Sequence, residues 1–276
     1  MIAPDTTARL FVAACRAELL ALKPGNVHVH AAGHGMEVAQ FEAAASAAAG
    51  PLSVAGAPVG DRIEQAVAAS LAVAGCNTNL GILLLCAPLL MAAEAPADRP
   101  FPERVEAVLD ALTLEDAQAV FRAIAAANPG GLGDADEDVR APACVPLRDA
   151  MAAAADRDLI ARQYAGGFQE VFALGVPVAA AHRSDPAQAA QAVYLSFLQA
   201  FPDSHIGRKF GRATAEAVRQ EARAVCTGLE GLTDADRTSR LLAFDADLKA
   251  RGLNPGTSAD LTVASLLADA LVEQEG

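Results

Sequence analysis

The sequence contains no tryptophan, and aromatic residues make up only 4% of it, although 53% of its residues are hydrophobic. A core without large rings has to be filled by small side chains, and alanine is abundant here. Small side chains let helices approach one another closely at the density of a protein interior. With 276 residues, the chain is long enough to bury a sizeable core.

Strand patterning is also missing, because no segment shows the strict polar–apolar alternation of a half-buried strand. We therefore predict an all-α, single-domain compact bundle of roughly ten to twelve helices over residues 1–276. Leu147–Leu174 is predicted to be largely helical, with a weak point at Gly166–Gly167. A second helix is predicted to start near Pro202 and run to about Cys226.

The sequence lacks an excess of positive charge, since its formal net charge is −13. This balance argues against a general nucleic-acid binder and against a binder of anionic membranes. The apolar run after Asn79 ends at Glu94 and contains Pro88. It is too short to span a membrane, which takes roughly 20 residues. A local basic pocket remains compatible with the composition.

Paired cysteine spacings are absent as well. The five cysteines are odd in number and include no CxxC motif, so we expect reduced thiols and a cytoplasmic protein. The apolar N-terminal segment is interrupted by Asp5 and Arg9. It therefore does not match the hydrophobic region of a signal peptide.

The stretch Ala66–Ala93 contains no charged residue, and its polar side chains cluster at Asn77–Asn79 apart from Ser70. Burying such groups costs about 1–3 kcal/mol for each one that lacks a hydrogen bond. We predict that Asn77–Gly81 opens a buried helix whose N-terminus faces an anionic ligand. A capped turn between two buried helices, with Gly75 ending the first, explains the same residues and stays open.

Three of the five histidines, His28, His30 and His34, lie in one loop. Such a cluster is compatible with a metal site. No cysteine stands nearby, and Glu37 is the only close carboxylate. We interpret the segment as a flexible loop that lines a pocket, with metal binding as the alternative.

A glycine-rich run, Asn128–Gly133, precedes four acidic residues that include Asp138. It is not a P-loop, because no strand precedes it and no Gly-Lys-Ser/Thr follows. We interpret it as a surface loop, with Asp138 as an outlying candidate for a catalytic carboxylate.

A basic stripe is predicted on one helical face, from Arg208 through Arg212 and Arg219 to Arg223. Arg208 and the adjacent Lys209 are the better candidates for anion binding, because they lie in the first turns after Asp203. Nearby glutamates leave a solvated surface open for Arg219 and Arg223.

Four motifs follow one another along the chain. They are Glu18 with Lys23–Val27, Asn77–Gly81, Asp203 with Arg208 and Lys209, and Asn254–Leu261. In this order they resemble the triphosphoribosyl-dephospho-CoA synthase family, which makes the precursor of the prosthetic group of citrate lyase and malonate decarboxylase.

The chain also departs from the family pattern. Asn79 and Leu80 stand where the family typically has His and Lys, and Gly33–Met36 lacks the acid of a typical Ala-His-x-Asp-Met motif. Asp203–His205 replaces Asp-Thr-Asn. The chain is thus similar to divergent members from methanogens and methylotrophs, some of which lie near genes for C1-carrier cofactors.

The resemblance implies that ATP is a substrate whose triphosphoribosyl group moves to a ribose hydroxyl of dephospho-CoA or a related acceptor, with release of adenine. It implies Mg²⁺ as well. The alternatives are a related ATP-dependent step in C1-carrier cofactor synthesis, a non-catalytic nucleotide or coenzyme binder, or a helical scaffold without a ligand. Self-association into a homo-oligomer is also compatible with the sequence.

The resemblance also implies site residues. Catalytic and metal-binding roles fall to three carboxylates, Asp203, Asp260 and Glu18, without indicating which is the general base. Binding of the nucleotide is assigned to Lys23, Gly25, Asn77, Thr78, Asn79, Arg208, Lys209 and Ser258. Simpler explanations exist for the last motif, because Thr257 or Ser258 can cap a helix and Asp260 suits its first turn.

Overall fold

The structure is a computed structural model that describes residues 1–30, 38–128 and 143–275. These residues form one compact helical body without strands, which confirms the predicted all-α class. The helices are α1 (Pro4–Leu20), α2 (Val38–Leu52), α3 (Val59–Ala74), α4 (Leu80–Ala92), α5 (Phe101–Asp110), α6 (Leu114–Ala127), α7 (Leu147–Ala152), α8 (Leu159–Ala165), α9 (Val176–Ala181), α10 (Pro186–Ala200), α11 (Ser204–Phe210), α12 (Arg212–Thr227), α13 (Asp234–Ala250) and α14 (Gly256–Glu273). A π-helical turn, Val171–Gly175, precedes α9.

The described residues hold more helices than predicted, because two predicted helices are interrupted. Gly211 has φ +87° and ψ 154°, which ends α11 and starts α12 at the next residue. The stretch 147–174 divides into α7, α8 and the start of the π-helical turn. Gly167 and Phe168 have φ values of +65° and +59° there, a conformation that a helix cannot contain.

Two helices form the centre of the molecule. All residues of α4 except Gly81 and Met91 are buried, as predicted for this uncharged stretch. Gly75, with φ +70°, ends α3 just before it. The last helix, α14, is almost as deeply buried and packs against α1, α4 and α10.

The hydrophobic core has two parts, and α14 contributes to both. The larger part joins the first helices with α4 and includes Leu261 and Val263 of α14. The smaller part lies among α10–α13 and includes Ala259 of α14. The beginning of α14 therefore lies where the two parts meet.

No helix in the described ranges is both long enough and apolar enough to cross a lipid bilayer. The five cysteines all lie within these ranges, and none of them forms a disulfide. Burial raises the pKa of the Cys15 and Cys86 thiols, so both behave as small apolar core residues.

Pro88 lies inside the buried helix α4 and has no N–H to donate to the Leu84 carbonyl four residues earlier. The hydroxyl of Tyr164 in α8 donates to that carbonyl instead, at 2.6 Å. Tyr164 is fully buried. A side chain of α8 thus completes the hydrogen bonding of α4 and ties the two helices together.

We predict that Tyr164→Phe lowers the free energy of unfolding by about 1–2 kcal/mol, because a buried carbonyl loses its donor. The measurement is urea denaturation in the wild-type and Pro88→Ala backgrounds. Alanine at position 88 restores a helical N–H for Leu84, so the cost of Tyr164→Phe should shrink there. An equal cost in both backgrounds would contradict this assignment.

Candidate functional site

A cavity of about 840 Å³ opens where four helices begin, namely α4, α8, α11 and α14. Eight of the eleven residues predicted for the site line it: Glu18, Asn77, Thr78, Asn79, Asp203, Arg208, Lys209 and Asp260. The other three, Lys23, Gly25 and Ser258, do not line it. Residues that are up to 242 positions apart in the sequence thus meet at one cavity.

The loop Lys23–Val27 lies behind the cavity wall and is fixed from several sides. Gly25 has φ +83°, and a Cβ atom there would lie 2.9 Å from atoms of both Leu248 and Pro255. The hydroxyl of Tyr194 donates to the Pro24 carbonyl at 2.7 Å. Only glycine combines this backbone conformation with this close packing, so Gly25 has a structural reason to be glycine.

The first and last motifs touch each other through two asparagines. The Asn26 side chain donates to Asn254 Oδ1 at 2.8 Å, across 228 positions of sequence. Both residues line the cavity. Sequence reasoning quoted these asparagines as motif residues but did not assign them to the site.

Glu18 and Lys23 form a buried ion pair. The ammonium of Lys23 also donates to Asn26 Oδ1 at 2.9 Å and to the Val27 carbonyl at 2.8 Å. Burial lowers the pKa of Lys23 and raises the pKa of Glu18, and in each case the partner's charge opposes the change. Glu18 reaches the cavity and Lys23 does not, so this arrangement gives no support to the predicted contact between Lys23 and a triphosphate.

In the described part of the histidine loop, both His28 and His30 contact other residues of the protein. His28 is buried, and its Nε2 lies 3.3 Å from Asp245 Oδ1. Burial lowers the pKa of His28, and Asp245 opposes that change. The His30 ring contacts the Leu20 carbonyl at 2.9 Å.

The described ranges contain no group of three His, Cys, Asp or Glu residues suited to hold a metal ion. Glu18, Asp203 and Asp260 therefore do not form a ready-made three-carboxylate metal site among these residues, and the metal-binding role that the resemblance implied for them stays a prediction. Two other candidates for metal binding or catalysis, His34 and Asp138, lie outside the described residues.

The polar side chains Asn77–Asn79 before α4 are only partly hydrogen-bonded by other described residues. Asn77 Oδ1 accepts from the backbone N–H of Leu80 at 3.2 Å, which is a capping contact. The Asn79 amide turns inward and donates to Ser70 Oγ at 3.2 Å. The buried hydroxyl of Thr78 has no hydrogen-bond partner among the described residues. Both hypotheses for this segment thus find support, since the turn is capped and one hydroxyl remains available at the cavity wall.

Asp203 accepts four hydrogen bonds. Its Oδ1 accepts from the backbone N–H groups of His205 and Ile206 at 2.9 and 3.2 Å, which caps α11. Its Oδ2 accepts from both the backbone N–H and the hydroxyl of Ser258 in α14, each at 2.8 Å. Two carboxylate oxygens offer about four acceptor sites, so Asp203 is fully used in joining the two helices.

Asp203 therefore presents no open acceptor to a metal ion or ribosyl group in this structure. Burial raises its pKa, and the hydrogen bonds from Ser258 oppose the rise. The capping role suggested for Ser258 or Thr257 is wrong, because the N-cap of α14 is Pro255 without a side-chain cap.

Asp260 has the opposite environment. It keeps partial exposure to the cavity, and no hydrogen bond to its carboxylate occurs within the described ranges. Burial raises its pKa well above the usual value, the charges of Asp203 and Glu18 add to the rise, and Arg208 opposes it. A partly buried carboxyl group with a strongly raised pKa is typical of a functional site.

The Asp260 carboxyl group lies directly against Gly81 in the first turn of α4. A Cβ atom on Gly81 would lie 2.1 Å from Asp260 Oδ2 and 2.8 Å from Cδ1 of Ile160 in α8. Any side chain at position 81 would therefore have to displace the Asp260 carboxyl group and the end of the Ile160 side chain, so glycine lets these three helices approach closely.

The cations at the cavity have different roles. Arg208 forms an ion pair with Asp158, the N-cap of α8, while its buried Nε has no partner among the described residues. Lys209 and Arg212 are exposed at the rim. Asp158 and Arg212 were not predicted as site residues, although Asp158 precedes Leu159 as an N-cap residue would.

The predicted basic stripe does not extend beyond the cavity, because Gly211 separates α11 from α12. Arg219 pairs with Glu216, with Nε 2.8 Å from Oε2. Arg223 donates to the Gln199 carbonyl at 2.9 Å. Neither lines the cavity, so the solvated-surface alternative describes these two residues.

The environments of Asp203 and Asp260 predict opposite effects of the same substitution. The pKa of Asp260 is higher in the folded protein than in the unfolded chain. Ionisation of Asp260 therefore favours unfolding, and the folded protein loses stability as pH rises from the unfolded pKa to the folded pKa. Asp260→Asn should therefore raise the melting temperature of the ligand-free protein at pH 7. Asp203→Asn places an amide donor against the Ser258 N–H and should cost about 1–3 kcal/mol.

Differential scanning calorimetry of both variants between pH 4 and pH 8 is the measurement. The increase in melting temperature caused by Asp260→Asn should grow as pH rises above about 4, where an unperturbed aspartic acid ionises. Equal destabilisation by the two substitutions would show that Asp260 is satisfied within the fold.

Comparison with known proteins places this geometry in context. The sequence model of the family described as ATP:dephospho-CoA triphosphoribosyl transferase matches residues 4–276. A solved structure from Archaeoglobus fulgidus, described as a candidate triphosphoribosyl-dephospho-CoA synthase, is similar with a TM-score of 0.67 and 24% sequence identity. The match covers 85% of this chain and 98% of the Archaeoglobus fulgidus chain, which supports the fold. No curated protein sequence matches.

Proposed function

This chain belongs to the ATP:dephospho-CoA triphosphoribosyl transferase family and is an enzyme, and we propose that it moves the triphosphoribosyl group of ATP to an acceptor hydroxyl. The acceptor is a ribose hydroxyl of dephospho-CoA or of a related molecule, and adenine is released. The observation that carries the proposal is Asp260, a carboxylate without a described partner in a cavity that also holds cations and the start of α4.

The triphosphate would bind at the N-terminus of α4, where backbone N–H groups and the helix dipole favour anions. The unpaired hydroxyl of Thr78 lies at that position. Arg208 would contribute its buried Nε, and Lys209 a mobile charge at the rim. Lys209 is exposed at the cavity, and no ion pair to it occurs within the described ranges. The cavity volume of about 840 Å³ is within the range of nucleotide-sized pockets.

The residues fit Mg²⁺ only as a partner of the substrate's own phosphates. Mg²⁺ usually takes one or two protein carboxylates together with phosphate oxygens. Asp260 and the exposed Asp156 line the cavity without a hydrogen bond to either carboxylate in the described structure, whereas Asp203 is saturated. When bound, the ion would neutralise phosphate charge next to Asp260, whose own oxygens would stay available to accept a proton.

The transfer forms a bond from the acceptor oxygen to C1′ of the ATP ribose and breaks the bond from C1′ to adenine, which leaves with the bonding electron pair. The acceptor hydroxyl would lose its proton to Asp260, because the raised pKa of Asp260 makes its carboxylate a stronger base. Positive charge would develop at C1′, where a second carboxylate would stabilise it, as in glycoside cleavage. We assign that role to Glu18, which lines the same cavity.

The residues at the start of α4 bear on the identity of the acceptor. Leu80 and Asn79 supply no charge where the family typically has Lys and His, and the Asn79 amide is already used by Ser70. The same pocket wall is apolar, with Ile82, Leu84 and Phe121. This difference favours an acceptor with fewer anionic groups at that wall, which keeps a C1-carrier cofactor precursor as the second candidate.

The experiment is chromatographic detection of adenine after incubation with Mg-ATP and a panel of acceptors, including dephospho-CoA and pterin or furan precursors. Adenine release should depend on one acceptor and should be lost in Asp260→Asn, which keeps its fold. Tight ATP binding without adenine release by any acceptor would contradict the proposed transfer and favour a binding protein.

The pH profile gives an independent prediction. Because burial raises the pKa of Asp260, kcat/KM should fall as pH falls through a value above about 4, the usual value for aspartic acid. Steady-state rates between pH 4.5 and pH 8.5 measure this. A profile that stays flat down to the lower limit would exclude Asp260 as the proton acceptor.

A further inference from the structure

We infer that Lys23 is a positioning residue rather than a phosphate ligand: it is the buried counter-ion that holds Glu18 in its charged form at the cavity wall. This inference rests on the proposed function, in which the charge of Glu18 faces the transferred ribose. Lys23 is thereby removed from the nucleotide-binding residues that the family resemblance implied, while Glu18 keeps the catalytic role implied for it.

The ammonium of Lys23 uses all its donors within the protein. Lys23 is 0% exposed, and its ammonium has three N–H groups. Those groups meet Glu18 Oε1, Asn26 Oδ1 and the Val27 carbonyl. No donor remains for a phosphate oxygen, and turning Lys23 toward the cavity would leave the Glu18 carboxylate and two further acceptors unpaired.

The loop that carries Lys23 is fixed by contacts on both sides of that residue. The backbone N–H of Gly25 donates to Asp245 Oδ1 at 2.8 Å, and the Gln191 side chain donates to the Leu22 carbonyl at 3.1 Å. Gly25 is also wedged against Leu248 and Pro255. The loop therefore cannot carry the ammonium into the cavity without losing contacts on both sides of Lys23.

Glu18 is buried and lines the cavity, and Lys23 is the hydrogen-bond donor to its carboxylate within the described ranges. The other titratable groups coupled to it are Asp260, Cys15 and Tyr194. Of these four neighbours only Lys23 favours the charged form of Glu18, because the thiol and phenol are neutral and Asp260 repels it.

This arrangement distinguishes Glu18 from Asp260 at the cavity. Glu18 has the Lys23 ammonium in direct contact, whereas no cation contacts Asp260 directly among the described residues. Environments that differ in this way let one carboxylate remain a fixed charge while the other exchanges a proton. Lys23 thus acts on the reaction through Glu18 and without touching the substrate.

The test compares Lys23→Met, Glu18→Gln, the double variant Lys23→Met/Glu18→Gln and a matched control, Arg62→Met. Arg62 is likewise a buried cation with one carboxylate and two carbonyl acceptors: Glu94 at 2.6 Å, Ala57 at 2.8 Å and Leu52 at 3.1 Å. It does not line the cavity. The control therefore shows what the loss of a buried cation does to the fold alone.

Four results are expected. Lys23→Met should lower kcat for adenine release by about 100-fold at pH 7, since an oriented charge is lost from the reacting centre. The acid limb of its kcat/KM profile, which Asp260 sets in the wild type, should move up by about one pH unit, because Glu18 without its counter-ion ionises at higher pH and then sets the limb. The KM for Mg-ATP should change by less than about threefold, since no phosphate contact is lost. Arg62→Met should lower stability without moving the pH profile.

Two readouts do not need turnover. Calorimetric binding of inorganic tripolyphosphate should have the same Kd in the double variant as in the wild type. The double variant should also melt at a higher temperature than Lys23→Met, because removing both members of a buried pair leaves no unpaired charge. These readouts also decide the inference if the wild type releases no adenine, which would refute the proposed function alone.

The inference is overturned by any of three outcomes. The first is a tenfold or greater loss of tripolyphosphate affinity in the double variant, which would make Lys23 a phosphate ligand. The second is a Lys23→Met profile that keeps the wild-type acid limb and loses only stability, as in Arg62→Met. The third is a double variant that melts no higher than Lys23→Met.

Discussion

The whole cavity depends on the four hydrogen bonds that Asp203 accepts. One of its oxygens caps α11, and the other holds the first turn of α14 through Ser258. The start of α11 is in turn joined to α8, because Ser204 Oγ accepts from the Leu159 N–H at 2.8 Å. Helix ends that approach one another in this way must satisfy their polar groups mutually, and here they do so with short side chains.

This framework explains why Asp260 differs from its neighbours. The first turn of α14 is fixed by Asp203, and the first turn of α4 approaches it at Gly81, so the Asp260 carboxyl group has a set position without a partner of its own. Such a group opposes folding when ionised. Its position lowers the stability of the ligand-free fold, and such a loss of stability is common at active sites.

Much of the fold followed from the sequence. The uncharged stretch around Asn77–Asn79 predicted a buried helix with a polar start, and the lack of alternation predicted the all-α class. The four motifs predicted which segments would meet. What sequence reasoning missed was direction: Lys23 and Ser258 belong to the correct motifs, but their side chains face Glu18 and Asp203 instead of the cavity. Spacing along a chain shows which residues are near a site and does not show which way a side chain turns.

The sequence pattern indicated the break near Gly167, but it indicated neither the break at Gly211 nor the site role of Asp158, for a related reason. Gly211 was read as part of a continuous basic face, yet its positive φ separates Arg208 from Arg219 and Arg223. Asp158 was overlooked because an N-cap pattern alone does not reveal a pairing with Arg208, which lies 50 positions away. In both cases the deciding contact is a tertiary one that local patterns cannot encode.

The start of α4 and the cations beside it are the proposed anion site around Asp260. A crystal structure of the protein grown with inorganic tripolyphosphate and Mg²⁺ tests this site most directly. We expect phosphate oxygens within hydrogen-bond distance of Thr78 and Arg208, with the ion next to Asp260. Tripolyphosphate bound only on the outer surface, with Asp260 still without a ligand, would contradict it.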